Sequence, residues 1–441
     1  MKRLKIFFLN SVLMIVSSFL LQIIRLIFNI YISNKITPEA LGIFQLIMVT
    51  YIFGITLASS GINISCMRVV SEEYALGNDA GVKKSSKNCI KISLILSIIA
   101  SLIFYLNAEF IVQNCFQSKV SIRIVHLICL SLPLISISSA ITGYFMAVRR
   151  IYKTIFGQFL EQISKIIMII ILLNTYATDS TLEKICFSLI LGDMLSELIS
   201  FIYLILIYIL DLKKHFITHT KERSTYIIRI LRILFPVAIT SCIKSGISTV
   251  KQLIIPSSLQ KNGKNLEDAL SDYGIISGMA MPIVMFPSTF LIAIAGLLIP
   301  EFSRYYVKED YAKIKLYTDK LLVGSFLFAC LLTIFFFIFG DNLGMFIYHN
   351  TQVGWYIKIF SLLIPFMYVD IIIDNILKGL DAQANVMIIN IIDLVVSTAF
   401  IFFFVPIMGI TGYIISIFIS EILNLALSLY KLLKLEKNFE T

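Results

Sequence analysis

Several ionisable residues stand inside long apolar stretches of the chain, among them Arg25, Glu161, Lys165, Asp193, Glu197, Lys244, Lys251, Asp370, Asp374, Asp393 and Glu421. A charge in hydrocarbon costs several kcal/mol, so such groups usually face water or a partner and mark a functional path. Their spacing narrows the chemistry. Glu161/Lys165, Asp193/Glu197 and Asp370/Asp374 are each four residues apart, which places each pair on one helix face. Glu161 and Lys165 can neutralise each other. The two acid–acid pairs cannot. They call for water, a proton or an external cation, or else they serve as polar contacts between helices. Lys244 and Lys251 are two helical turns apart and share a face. Together with Arg25 they suit an anion seat, or salt bridges to the acids just named.

The elements that must carry these groups follow from composition. The chain has 441 residues, 58% hydrophobic and 15% charged, with a mean hydropathy of +0.90. Soluble domains hold about 25% charged residues, so this chain lacks the polar surface to coat a water-soluble globule. Disorder, a collagen-like chain and a coiled coil are excluded on the same grounds. Apolar runs recur at the length of about 20 residues that a membrane helix needs. Twelve spans are predicted, near 6–32, 40–65, 89–107, 122–148, 154–175, 184–210, 227–255, 273–299, 317–340, 354–377, 386–405 and 409–431. The runs are continuous rather than alternating, which argues against strands. The first is too long for a signal-peptide core and no A-x-A-like site follows it.

Charge sets the expected orientation. Of the 37 Lys and Arg residues, 26 fall on the side of the termini, 6 on the other side and 5 within spans. The positive-inside rule then puts both termini in the cytoplasm. The formal net charge of +10 therefore speaks for a membrane surface rather than nucleic acid.

The most basic loop, Asp211 to Tyr226, lies at the middle of the chain and invites a search for repeats. Gly42 and Gly274, Pro133 and Pro365, and Glu161 and Asp393 are all separated by 232 residues. Arg68 and Arg304 stand 236 apart. Repetition with six spans per half predicts two parallel repeats, an N-terminal six-helix bundle (1–212), a basic linker (213–225) and a C-terminal six-helix bundle (226–441), with a central cavity.

Other features point to packing. Ser131 to Gly143 is rich in small hydroxyl residues suited to helix contacts. Pro236, Pro282, Pro287, Pro300 and Pro365 are expected to interrupt spans. His215 and His219 are too few for a metal site. Five of the seven cysteines lie in or beside apolar runs as packed small residues, without a CxxC spacing. No Walker, GxSxG, HExxH or dinucleotide-binding glycine pattern occurs, and no cofactor is expected. The longest outer loop is expected at about Pro256–Tyr273, carrying Glu267, Asp268 and Asp272.

ISSAITGYFMAVRRIYKTIFGQFLEQISKIIMI (137–169) resembles the fourth and fifth spans of stage V sporulation protein B-like polysaccharide transporters. DYGIISGMAMPIVMFPSTFLIAIAGLLIPEFSR (272–304), TPEALGIFQL near the start and KGLDAQANVMIINIIDLV near the end resemble that family too. The resemblance covers nearly the whole chain. It implies the MATE-like exporter superfamily: two six-helix bundles around a cavity, alternating access, and cargo ranging from lipid-linked sugars to drugs. Relatives often carry two arginines in the first span, where this chain has only Arg25 with Gln22 and Asn29 nearby. They also tend to place Gln after the glycine of span four, where Met146 and Arg149–Arg150 stand here. Both departures weigh against lipid II as cargo.

The expected function is a non-enzymatic flippase for an undecaprenyl-pyrophosphate-linked oligosaccharide or cell-wall precursor in the cytoplasmic membrane. Arg25, Lys244 and Lys251 would hold the pyrophosphate. Asp193, Glu197, Asp370 and Asp374, with Glu161 and Asp393, would line the path, bond sugars or take a coupling H+ or Na+. Membrane lipids are the other expected partners, with the protein a monomer. The alternatives are a cation-coupled exporter of organic cations and, from another class, an intramembrane glycan polymerase or acyltransferase.

Overall fold

The computed structural model describes residues 2–177, 181–215 and 226–440; residues 216–225 of the basic linker, including His219, lie outside them. The chain forms α1 (Lys2–Lys35), α2 (Pro38–Ser59), α3 (Ile62–Ala75), α4 (Asp79–Leu106) and a short α5 (Ala108–Phe110) with a π-helical turn at Ile111–Cys115. There follow α6 (Arg123–Ala147), α7 (Ile151–Thr175), α8 (Leu182–His215) and α9 (Tyr226–Lys261). Next come α10 (Leu266–Gly274), a second π-helical turn at Ile275–Ala280, α11 (Met281–Met285) and α12 (Ser288–Val307). The remainder is α13 (Tyr311–Tyr348), α14 (Thr351–Ser361), α15 (Ile364–Gly379), α16 (Gln383–Met408) and α17 (Ile410–Glu440). No strand occurs among the described residues.

Among the described residues, eleven helical segments are long and apolar enough to span a bilayer, and α14 with α15, bent by 53° at their junction, makes a twelfth. Lipid offers the backbone no hydrogen bonds, so helices are the form such runs must take. The expected eighth span, 273–299, is corrected. The chain there is broken into α10, the π turn, α11 and α12, and the spanning helix is Ser288–Val307. Proline lacks an N–H and restricts the residue before it. Pro282 sits at the first turn of α11 and Pro287 caps α12. Pro365 likewise opens α15 after the bend. Pro236 and Pro300, expected to interrupt spans, lie inside unbroken α9 and α12. The expected outer loop is corrected as well: α9 runs to Lys261 and α10 begins at Leu266, leaving four residues between them.

The 232-residue repeat is written into the backbone. Ala75 and Val307 end helices, Asp79 and Tyr311 begin them, Ala147 and Gly379 end them, and Ile151 and Gln383 begin them. Left-handed residues recur at the same interval: Gly77 (φ 67°) and Glu309 (φ 57°), Gln117 (φ 55°) and His349 (φ 52°), Arg149 (φ 60°) and Asp381 (φ 61°). Caps recur too. The Asn78 side chain accepts from the Gly81 N–H at 3.1 Å, and the Asp310 carboxylate from the Lys313 N–H at 3.4 Å. A side-chain oxygen there satisfies one of the free N–H groups of a helix start. The Lys313 ammonium, 2.5 Å away, also holds the Asp310 carboxyl below the usual carboxylate range.

Two compact units result, one formed by residues 1–21 and 46–249, the other by 22–45 and 250–441. In the first, α7 packs on α8, α6 on α3, α4 and α8. Its core holds Ile62, Cys66, Val69, Tyr144, Tyr208 and Leu234, all buried. In the second, α16 packs on α17, and α15 on α12, α13 and α17. Close approach depends on small residues, as expected where lipid gives helices no hydrophobic drive to associate. A Cβ on Gly143 would sit 2.6 Å from the Asn63 carbonyl, and one on Gly354 2.7 Å from the Asp341 Cα. All seven cysteines are free thiols.

Candidate functional site

Each unit gathers its own set of ionisable groups. In the first unit, α7 supplies Glu161 and Lys165 on successive turns, and the adjoining α8 supplies Asp193 and Glu197 in the same way. Lys165 forms an ion pair with Asp193, whose residue is 7% exposed. The lysine is thus drawn across to the next helix, although Glu161 lies one turn away on its own. Glu197 stands within electrostatic reach of Glu161, Asp193 and Lys165. Tyr51 of α2 is 2% exposed, with its hydroxyl making no hydrogen bond of standard geometry. It lies close to Ser131 and within reach of the Asp193, Glu197 and Glu161 carboxylates. Glu161, Asp193 and Glu197 thus lie around Lys165.

In the second unit, α15 supplies Asp370 and Asp374, α16 Asp393, α17 Glu421 and α9 Lys251. Glu421 is within electrostatic reach of Asp370, Asp393 and Lys251, and Lys251 of Asp393 and Glu421. Asp370 is 7% exposed and accepts a hydrogen bond from Asn424 Nδ2 at 2.8 Å. Asp393 accepts one from Ser420 Oγ at 2.6 Å. Asp374 stands 3.9 Å from the Lys378 ammonium, one turn along its helix. The acid–acid pair is therefore supported from outside itself. The second carboxylate oxygen of Asp370, the amide oxygen of Asn424 and the hydroxyl of Ser428 are buried and make no hydrogen bond of standard geometry, with Ser428 lying close to the Asp370 carboxylate. Buried polar atoms of this kind are costly. A set of oxygens left open in this way can receive a proton, a cation or a hydroxyl-bearing ligand.

The remaining candidates lie elsewhere. Arg25 is exposed on α1 and Lys244 is exposed on α9. Lys244 falls in the stretch of α9 that belongs to the first unit and Lys251 in the stretch that belongs to the second. Asp272, at the expected outer loop, is engaged by the Lys264 ammonium and by Gln352 Nε2 at 3.2 Å.

Sequence reasoning missed Tyr51, Ser420, Asn424 and Ser428. Tyr51 carries no signal, being one aromatic in an apolar run. The others do: Ser416, Ser420, Asn424 and Ser428 recur every four residues and put a polar stripe on α17 beside Glu421.

Eleven to twelve spans, an internal repeat and buried ionisable groups in each unit define a multi-pass membrane protein, and its fold is that of the MATE transporters. It overlays the inward-facing conformation of a multidrug resistance MATE family transporter of the MOP superfamily with a TM-score of 0.76, at 14% identity, covering 95% of each chain. It also overlays a MOP superfamily transporter from Pyrococcus furiosus Vc1 (DSM3638), with a TM-score of 0.66 at 13% identity over 98% of this chain and 95% of that one. Residues 8–306 match the polysaccharide biosynthesis protein family, and the chain belongs to that family. Stage V sporulation protein B of Bacillus subtilis (strain 168) is 21% identical over 423 residues, 95% of this chain and 82% of that protein. Sporulation protein YkvU of the same organism is 18% identical over 305 residues, 68% of this chain and 66% of that protein. The resemblance read from the sequence motifs is borne out.

Proposed function

We propose that this protein is a flippase that exports an undecaprenyl-pyrophosphate-linked oligosaccharide or cell-wall precursor across the cytoplasmic membrane by alternating access. Membership of the polysaccharide biosynthesis protein family is the observation that carries the reading. The buried polar clusters add to it, since a sugar chain crossing a bilayer needs hydrogen-bonding groups in place of water. Asp193 and Glu197, with Glu161, and Asp370 and Asp374, with Asp393, bond sugar hydroxyls or hold a coupling H+ or Na+. Arg25, Lys244 and Lys251 supply positive charge to the pyrophosphate. Both termini lie in the cytoplasm, the protein works as a monomer, and it makes and breaks no covalent bond. Outward movement of an anion runs with the membrane potential, which contributes about 2.3 kcal/mol per charge per 100 mV. Deletion of the gene should cause one lipid-linked saccharide to accumulate in the inner leaflet. Normal levels of all such intermediates would overturn the reading.

A second reading, export of organic cations, draws on the excess of acids over lysines in the second unit, where Asp370, Asp374, Asp393 and Glu421 face Lys251 and Lys378. Drug efflux lost in an Asp374→Asn variant, with cell-wall polymers unchanged, would favour it.

A further inference from the structure

At one end of the first unit, a cavity of 420 Å³ opens where α3 meets the start of α9. Its volume falls in the range of about 300–1,000 Å³ typical of small-molecule sites. Three arginines, Arg68, Arg229 and Arg232, line it with Glu72, and Ile233, Pro236 and Val237 form an apolar wall. It lies on the membrane side that carries the excess of lysine and arginine.

The charges in this cavity do two different jobs. Glu73 is fully buried and holds Arg229 from behind, its Oε1 3.0 Å from Arg229 Nη1. The other Glu73 oxygen accepts from Asn78 Nδ2 at 2.7 Å and from the Tyr226 hydroxyl at 3.3 Å. Arg229 is thereby fixed in place. Glu72 behaves differently. Its side chain is 42% exposed, and its carboxylate bridges Arg229 Nη2 and, at 3.5 Å, Arg68 Nε. Arg232, also on the cavity, makes no ion pair with a described residue. A half-exposed carboxylate spanning two guanidinium forks occupies the place that an anionic oxygen group would take. Guanidinium forks match phosphate geometry, and the apolar wall adjoins them.

The geometry points to a phosphate-binding seat at Arg68, Arg229 and Arg232, which receives a phosphate or pyrophosphate group carried on an apolar chain and which Glu72 occupies until that group displaces it. The seat deepens the flippase reading by giving the pyrophosphate a holding point on the side where transport starts, and it rests on that reading only for the identity of the natural ligand.

The test is equilibrium binding to the purified full-length chain in detergent. The probes are inorganic pyrophosphate and a fifteen-carbon prenyl pyrophosphate. Both should bind to wild type. Tighter binding of the prenyl compound is the expected result; equal binding would overturn the assignment of the apolar wall at Ile233, Pro236 and Val237 to a carried chain. Arg68→Ala/Arg232→Ala should weaken binding at least tenfold. Glu72→Gln should strengthen it about threefold or more, because it removes the internal competitor while Glu73 still holds Arg229. The opposite sign of the Glu72 variant keeps the test decisive if the double arginine variant fails to fold. No binding, or affinities unmoved by Glu72→Gln, would overturn the proposal. Since no transport is measured, a failed flippase assay leaves this result standing, and the reverse holds.

Discussion

Gly42 and Gly274, separated by 232 residues, meet directly in the folded chain. A Cβ on Gly274 would lie 2.7 Å from the Gly42 nitrogen and would collide with the Pro38 carbonyl, while a Cβ on Gly42 would collide with the carbonyl of Leu270. Positions equivalent by the repeat thus pack backbone to backbone where α2 crosses α10. In each case the obstacle is backbone rather than a flexible side chain, so there is little room for adjustment.

Gly42→Ala and Gly274→Ala are therefore each expected to destabilise the protein by about 1–3 kcal/mol, the usual cost of overpacking, or more. Thermal unfolding in detergent measures this. Gly324→Ala, inside α13 where an added Cβ meets nothing within 4 Å, is the control and should hold or raise the midpoint, because Ala favours a helix interior over Gly by about 1 kcal/mol.

The paired left-handed turns give a reciprocal prediction. Gly77 and Glu309 share a backbone conformation that costs an L-residue about 1–2 kcal/mol. A Cβ at Gly77 meets no atom within 4 Å, so only backbone strain acts there. Gly77→Ala should lower stability by about 1 kcal/mol and Glu309→Gly should raise it by up to about the same amount. Equal shifts in the same direction would show that the two turns are not equivalent.

Lys165 and Asp193 form a pair that is mostly removed from solvent. Breaking such a pair costs about 3–5 kcal/mol, whereas replacing both partners with apolar residues is often neutral. Lys165→Met should destabilise by about 3 kcal/mol, and Lys165→Met/Asp193→Leu should recover most of that loss. Unfolding curves of the two variants check the stability. Transport should remain lost in the double variant if the pair serves the path; full transport would reduce it to a packing device.

Asp370 accepts from Asn424 through one oxygen and leaves the other open. Asp370→Asn keeps the shape and removes the charge. The variant should unfold within about 1 kcal/mol of wild type while losing transport. Asn424→Leu strands the carboxylate and should cost about 1–3 kcal/mol. Comparison of the two separates a role for the charge from a role for the hydrogen bond.

Span count, membrane class and repeat were legible because each rests on local pattern. Apolar length defines the helices, and the Gly42/Gly274, Pro133/Pro365 and Glu161/Asp393 intervals carry the duplication. The eighth span was misplaced because hydropathy runs on through Pro282 and Pro287; the prolines signalled an interruption, but only the backbone shows that the long helix restarts at Ser288. The partner of Lys165 was not legible, since Glu161 and Asp193 are equally plausible by charge and the packing of α7 on α8 decides between them. Arg229 and Glu73 lie 156 residues apart, beyond the reach of any periodic pattern. The stripe at Ser420, Asn424 and Ser428 was present in the sequence but is masked by the frequency of small polar residues at helix contacts.

The most direct measurement of the central claim is translocation of an undecaprenyl-pyrophosphate-linked oligosaccharide in vesicles that contain only the purified protein, read by access of an external glycan-cleaving enzyme. Wild type should expose the sugar far faster than protein-free vesicles, and Asp193→Asn/Asp370→Asn should fall to the protein-free rate. Exposure at that background rate by wild type, or undiminished transport by the double variant, would contradict it.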